Sequence, residues 1–241
     1  MFDTIILLTG SRDQQLALSE LLRAHNPALT FRFAVSLQDL EAIERDVLGR
    51  SRLLAFTTGV IVPAGILQAL GYGAYNFHPA SPDYPGWAPA HFAMYDGATS
   101  FGATAHVMEP RVDSGAIVGV ETFDIPHGVD VRGLEQMTFV RLAYLFWRMS
   151  RDLACHAGPL TVLPENWSGI RSTRQSYAAM CDMPADIDPA EMTRRIGAFH
   201  DDFRGIPLTI NLHGMRFQLV GADAAIAEPI TVDAPALALA S

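Results

Sequence analysis

Apolar positions in the first third of the chain fall into two alternating rhythms. Residues 4 to 9, TIILLT, form an unbroken apolar run that stops at Gly10 and Ser11; beyond it Leu16, Leu18, Leu21 and Leu22 recur at helical spacing as far as His25 and Asn26. The run predicts a buried strand and the spacing predicts a helix packed on one side. A second unit repeats the pattern. FRFAV (31–35) reads as a strand, Ser36 as a helix N-cap, and Leu37, Leu40, Ile43 and Val47 as one helical face closed by Gly49. In the third, RLLAFTT (52–58) leads to a short helix opened by Pro63 and running through Ile66, Leu67 and Leu70. GAYNFH (73–78) is the next strand. Strands alternating with helices of this length predict an α/β fold, a parallel sheet wound with crossover helices on both faces.

Past residue 78 the pattern loosens. APAHFAMYDG (88–97) predicts a short helix ended by Gly97. FGATAHVMEP (101–110) and AIVGVETFDIP (116–126) predict two further strands, the first with Thr104, His106 and Met108 on one face. Residues 130–157 carry the longest helical pattern, with Leu134, Met137, Phe139, Val140, Leu142, Leu145, Phe146 and Met149 read as a broad core-facing stripe, and Trp147 grouped with Phe146 as core. After Gly158 prolines punctuate the chain. A short helix is expected near 189–200, and LTINLHGMRFQLV (208–220) predicts a hairpin turning at His213 and Gly214. The division expected is a main domain over 1–160, a small extension of helix and β-hairpin over 161–222, and a tail over 223–241.

Composition narrows the class. The 241 residues, 49% of them hydrophobic, suffice for one α/β domain with a small appendage. Seventeen basic against twenty-six acidic residues leave a net charge of −9 spread along the chain. Nucleic acid is therefore not expected as a partner, since binding to a phosphate backbone relies on clustered Lys and Arg. Cys155 and Cys181 make no CxxC pair and sit in no zinc-ligand spacing, which suits a reducing compartment. MFDTIILLTG lacks a basic leader and reads as a strand rather than a signal peptide, and no run approaches the roughly 18 apolar residues of a membrane span. A cytoplasmic protein without membrane contact is expected. No histidine pairs with a carboxylate at i, i+4 on one helix, so no metal is expected. A glycine-rich dinucleotide fingerprint is absent as well.

Candidate chemistry gathers around NFHPASPDYPGWAP (76–89). Open α/β sheets bind ligands beyond the carboxyl ends of their strands, and this stretch follows such an end. Asn76 and His78, two apart on a strand, project to the same side. Downstream, RVDSGAI (111–117) puts Asp113 in a turn before the next strand. Each residue has a plainer reading: His78 and His106 as structural histidines bonded to the backbone, His91 as a packing residue, Asp113 as the shaper of an Asx turn.

Taken together, NFH followed by Pro79, the Tyr84-Pro85-Gly86 close of the loop, FGATAHVM (101–108) and VDSGAIV (112–118) resemble the motifs of the formyltransferases that use 10-formyltetrahydrofolate. The resemblance covers residues 3 to 125 in order and spacing. It implies a Rossmann-like formyltransferase fold, with a mostly parallel twisted sheet, and it implies catalytic roles for Asn76, His78 and Asp113, with His106 in support. It also implies 10-formyltetrahydrofolate as cosubstrate, held by TTGVIVPAGIL (57–67) and the turn before Asp113, with Phe56, Val62, Ile66 and Leu67 as apolar wall and Glu109 and Val112 on the polar side. Arg12, Tyr84 and Trp87 are the expected contacts for the acceptor.

Departures from the family pattern refine the acceptor. The loop after His78 is one residue shorter than in members acting on tRNA or glycinamide ribonucleotide, and Ala80 stands where those carry Ser. GSRDQQ (10–15) lacks the form associated with a ribonucleotide phosphate. The implied acceptor is an amine or hydroxylamine of a small metabolite, such as a nucleotide-linked amino sugar. The alternatives are a methionyl-tRNA formyltransferase-like enzyme with a reduced C-terminus, a folate-binding module without turnover, and transfer of the formyl group to water. Trp167, Arg194, Arg195 and Phe199 belong to segments that either border the acceptor or simply pack. The hairpin edge is where two copies would pair in a homodimer.

Overall fold

The first apolar run becomes the centre of a sheet. In the computed structural model, which describes residues 2–200 and 204–220, β1 (Thr4–Thr9) is buried at every position. Ile5 and Leu7 enter one core and Ile6 and Leu8 another, so the lack of apolar–polar alternation reflects cover on both faces. Ser11 caps α1 (Arg12–His25) by accepting the Gln14 N–H, and the chain returns through β2 (Thr30–Ala34), parallel to β1.

Where one helix was expected over 37–47 there are two. Ser36 and Asp39 form a reciprocal capping box at α2 (Leu37–Glu41). Glu44 then turns extended and α3 (Arg45–Leu48) follows. Two short helices bury Leu40, Val47 and Leu48 as well as one would, so the apolar spacing could not tell them apart. β3 (Ser51–Phe56), α4 (Ala64–Ala69) and β4 (Ala74–His78) complete the parallel part, with β3 between β1 and β4.

After α5 (Pro89–Asp96) the direction reverses. β5 (Ser100–Val107) pairs antiparallel with β4, and β6 (Ile117–Asp124) antiparallel with β5. The sheet order is β2-β1-β3-β4-β5-β6, a mostly parallel sheet as expected. α6 (Val131–Cys155) lies with α1 over one face, where Leu142, Leu145, Phe146 and Leu153 meet Phe56 and Phe77.

The stripe expected on α6 is too broad. Val140 is 65% and Trp147 56% exposed, and Phe139, at 44%, touches Phe56 only from the edge of the stripe. The buried set Leu134, Thr138, Leu142, Leu145, Phe146 and Leu153 already fills the arc that meets the sheet. Val140 and Trp147 fall on the other side, where Trp147 stacks on Tyr144. Leu16 and Leu37, also read as helix-face residues, are exposed.

The C-terminal part holds an element that periodicity did not reveal, α7 (Arg174–Cys181), started by a Thr173–Ser176 capping box. β7 (Asp182–Met183), α8 (Pro189–Phe199), β8 (Thr209–Leu212) and β9 (Met215–Gln218) follow, and the three strands form a second sheet. The β8–β9 hairpin turns at His213 and Gly214, both with positive φ. Tyr177, Cys181, Ala198, Phe199 and Leu208 share a core with Ala88, Trp87 and Phe92 from the loop and helix beyond β4. This packing brings the C-terminal segment against the end of β4. The tail expected over 223–241 lies outside the described residues. Among those described, no helix is long and apolar enough to cross a membrane, and no group of three His, Cys, Asp or Glu side chains is placed to hold a metal ion.

Candidate active site

Sheet register builds the site. Asn76 and His106 stand directly opposite each other on β4 and β5, and the Asn76 Nδ2 lies 3.1 Å from His106 Nε2. Two residues on, His78 ends β4 on the same side of the strand. Asp113 reaches both histidines from the loop between β5 and β6. Its Oδ1 is 3.2 Å from His106 Nε2 and its Oδ2 3.5 Å from His78 Nδ1.

Backbone constraints hold this arrangement. Asp113 has φ of 46°, a left-handed conformation that Asp tolerates better than most residues. The Gly86 N–H donates to its Oδ2 at 2.8 Å. Gly86 itself has φ of 104°, and a Cβ there would lie 2.1 Å from the Ser172 carbonyl oxygen, so only glycine fits. His78 Nε2 donates to the Tyr84 carbonyl at 3.2 Å, and His106 Nδ1 to that of Val107 at 2.8 Å. The indole N–H of Trp167 donates to the Gly115 carbonyl at 2.8 Å, which sets its ring edge-on to His106 at 5.1 Å and to His78 at 5.9 Å.

Burial governs the protonation of His78. Desolvation lowers its pKa, outweighing the nearby Asp113 that would raise it. Asp113 does favour the imidazolium at position 78, but burial outweighs it. For Asp113 burial acts upward, but the approach of His106 Nε2, the fields of both histidines and the Gly86 N–H together bring its pKa below the ordinary aspartate value. The resting centre is an aspartate anion beside a neutral His78.

These groups open into a cavity of about 430 Å³. One wall is Thr58 to Val62, another Met108 to Val112, and a third Gly86, Trp87 and Arg171 to Thr173. Val62, Glu109, Val112 and Trp87 line this cavity. Phe56 does not. Period-two alternation on β3 turns it into the core, 6.1 Å from the Phe77 ring and 5.8 Å from that of Phe146. Ile66 and Leu67 pack against the opposite core, and Ile66 borders a separate depression with Leu40 and Pro63.

Tyr84 contributes its carbonyl to His78, while its ring packs on Phe101 and its hydroxyl is pushed up to about 12 by burial and the nearby Asp96. Arg12 is exposed on the first turn of α1 and is not on the cavity wall. Arg194 pairs with Glu191 and covers Tyr95, Arg195 pairs with the same Glu191, and Phe199 is buried; none of the three lines the cavity. Arg171 to Thr173 are the wall residues that sequence reasoning did not single out. They follow Trp167 in a segment without regular structure, and Arg171 donates to the Val112 carbonyl at 3.0 Å.

Comparison with known proteins places the chain in a family. The profile of the family described as formyl transferase matches residues 4–139. A methionyl-tRNA formyltransferase of Listeria monocytogenes is 34% identical over 88 residues, covering 36% of this chain and 27% of that protein. The chain thus matches about a quarter of the length of that relative. The structure of a sugar N-formyltransferase from a Shewanella species superposes with a TM-score of 0.72 at 15% identity, over 91% of this chain and 97% of that one. An N-formyltransferase from Helicobacter canadensis, solved with folinic acid and dTDP-3-aminofucose, has a TM-score of 0.60 at 14% identity, over 89% of this chain and 85% of its own. The profile runs from β1 through the NFH end of β4 and Asp113 into α6, more than half of the sequence, and the chain belongs to the formyl transferase family.

Proposed function

We propose that this protein transfers the formyl group of 10-formyltetrahydrofolate to an amine of a small metabolite, with nucleotide-linked amino sugars as the acceptor class. The observation that carries the reading is the meeting of Asn76, His78, His106 and Asp113 at one cavity. A volume of about 430 Å³ is within the usual range for ligand sites. Val60, Ile61, Val62, Met108 and Val112 suit the faces of a flat heteroaromatic ring. The folate supplies an activated formyl carbon.

The protein's own groups then have distinct tasks. Asn76 donates to the oxygen on which negative charge grows as the amine attacks, in a site that side chains shield from water. Asp113, ionised and buried, takes the proton that the amine loses. His78, neutral at rest and with Nδ1 3.5 Å from Asp113 Oδ2, flanks the carboxylate that takes this proton and helps to hold it in place. Trp167, edge-on to both histidines, keeps the site dry. The third wall, Trp87 and Arg171 to Thr173, faces the acceptor.

A polyanionic acceptor such as tRNA is disfavoured by the net charge of −9. The likeness to a sugar N-formyltransferase over 97% of that chain supports a small acceptor. The test is a calorimetric titration with a stable 10-formyltetrahydrofolate analogue, followed by tetrahydrofolate release with a panel of nucleotide amino sugars. Binding and release support the proposal. Binding without release by any amine would make the protein a folate-binding module, and absence of binding would overturn the folate reading.

A further inference from the structure

One buried atom at the centre lacks a donor. Asp113 Oδ1 has no hydrogen-bond partner, although His106 Nε2 stands 3.2 Å away. The reason lies in the histidine's tautomer. The Val107 carbonyl, 2.8 Å from Nδ1, keeps the proton on that nitrogen. In the neutral ring Nε2 is then an acceptor, and the Asn76 amide uses it at 3.1 Å. A nitrogen lone pair therefore faces a carboxylate lone pair at hydrogen-bond distance. Unsatisfied buried acceptors are unfavourable, and one proton on Nε2 would satisfy Asp113 Oδ1. The same proton would remove the acceptor to which Asn76 is bonded.

We propose that His106 is a two-state positioning residue: neutral, it holds the Asn76 amide on Nε2; protonated, it donates to Asp113 Oδ1 and releases that amide to the substrate oxygen. Its surroundings fit such a switch. From β4 it meets Asn76 and the field of His78, from the loop before β6 it meets Asp113, and from the segment after α6 it meets the indole of Trp167. This role rests on the formyl-transfer reading. As the amine nitrogen bonds to the formyl carbon, it loses one proton to Asp113, which passes it to His106 Nε2. The proton returns by the same route to the folate nitrogen as the bond from that nitrogen to the formyl carbon breaks, leaving the site in its starting state. Oxyanion stabilisation thereby becomes available in step with the charge that needs it.

The switch is measurable without substrate. In the full chain labelled with 15N at histidine and asparagine, the neutral His106 ring should show the Nδ1–H tautomer. On acidification the Asn76 side-chain amide peaks should move with the same midpoint as the ring. In His106→Gln that movement should vanish. An Nε2–H tautomer in the neutral ring, or Asn76 peaks that stay fixed while His106 titrates, would overturn the proposal, and a merely structural histidine predicts the latter. Once an acceptor is in hand, His106→Gln should lower kcat by about 100-fold with the KM for folate unchanged. An unchanged kcat would sink the idea. Because the spectra need no ligand, their outcome is separate from that of the folate titration, which alone judges the formyl-transfer reading.

Discussion

The backbone N–H of Gly86 donates to Asp113 Oδ2 at 2.8 Å, and this bond ties the loop after β4 to the loop before β6. It orients the carboxylate so that each oxygen faces one histidine. Gly86 can approach this closely because it has no side chain: the Ser172 carbonyl occupies the place of a Cβ, and φ is 104°. Gly86→Ala should therefore lower stability by roughly 2 kcal/mol or more and displace Asp113. Thermal unfolding combined with folate titration checks this, and an alanine variant with wild-type melting and binding would refute it.

Asn76→Ala, His78→Ala and Asp113→Ala should each reduce turnover by about 10² to 10⁴ while far-ultraviolet circular dichroism stays unchanged. Combining two of them should lose much less than the product of the single effects, since the groups act on one proton and one oxygen. Fully multiplicative losses would argue for independent roles.

Arg52 offers a prediction about stability alone. It is fully buried and pairs with no carboxylate among the described residues; it donates to the carbonyls of Tyr72, Leu153 and Gly158 at 3.1, 2.8 and 2.8 Å, with the Phe2 ring 4.9 Å from its guanidinium carbon. It thus fastens the end of α6 to the start of the central strand β3 and the turn before β4, at the opposite end of the strands from the cavity. Arg52→Met leaves several carbonyls without a donor and should lower stability by about 3 kcal/mol. Folate affinity measured well below the melting temperature should be unchanged; a weakened affinity would show that the brace also shapes the site.

The depressed pKa of His78 makes stability depend on pH with a definite sign. Above the ordinary histidine value of 6.5 the ring is neutral in both folded and unfolded chains and contributes nothing. As pH falls through 6.5 the unfolded chain takes a proton that the buried ring refuses, so the native state loses stability until pH reaches the folded value. Asp113 acts lower: its contribution is present above 3.8 and is lost as pH falls through its depressed folded value. The melting temperature should decline from about pH 7.5 to about pH 5.5 more steeply in the wild type than in His78→Gln. Parallel curves would show that His78 is not desolvated as the structure has it.

The sequence by itself determined the strands that carry the site and the residues that meet there. Short unbroken apolar runs bounded by turn residues suit strands covered on both faces, and β1 and β3 are such strands. Asn76 and His78 share a side because strand side chains alternate, and the hairpin turn at His213 and Gly214 follows from local backbone preference. Tertiary structure decided what lies far apart along the chain. Which histidine Asp113 reaches, and with which oxygen, depends on the register of β4 with β5 and on a glycine contact across the loops. Phe56 was misplaced because alternation gives two faces without saying which one meets α6. Val140 and Trp147 were misplaced because apolar residues are not confined to the covered arc of a helix. Arg171 to Thr173 became a cavity wall only when the Tyr177 and Phe199 core docked that irregular segment against the loop after β4. The direction of the His78 shift was hidden for the same reason: a neighbouring charge is visible in a motif, whereas burial, which outweighs it here, is a property of the folded chain.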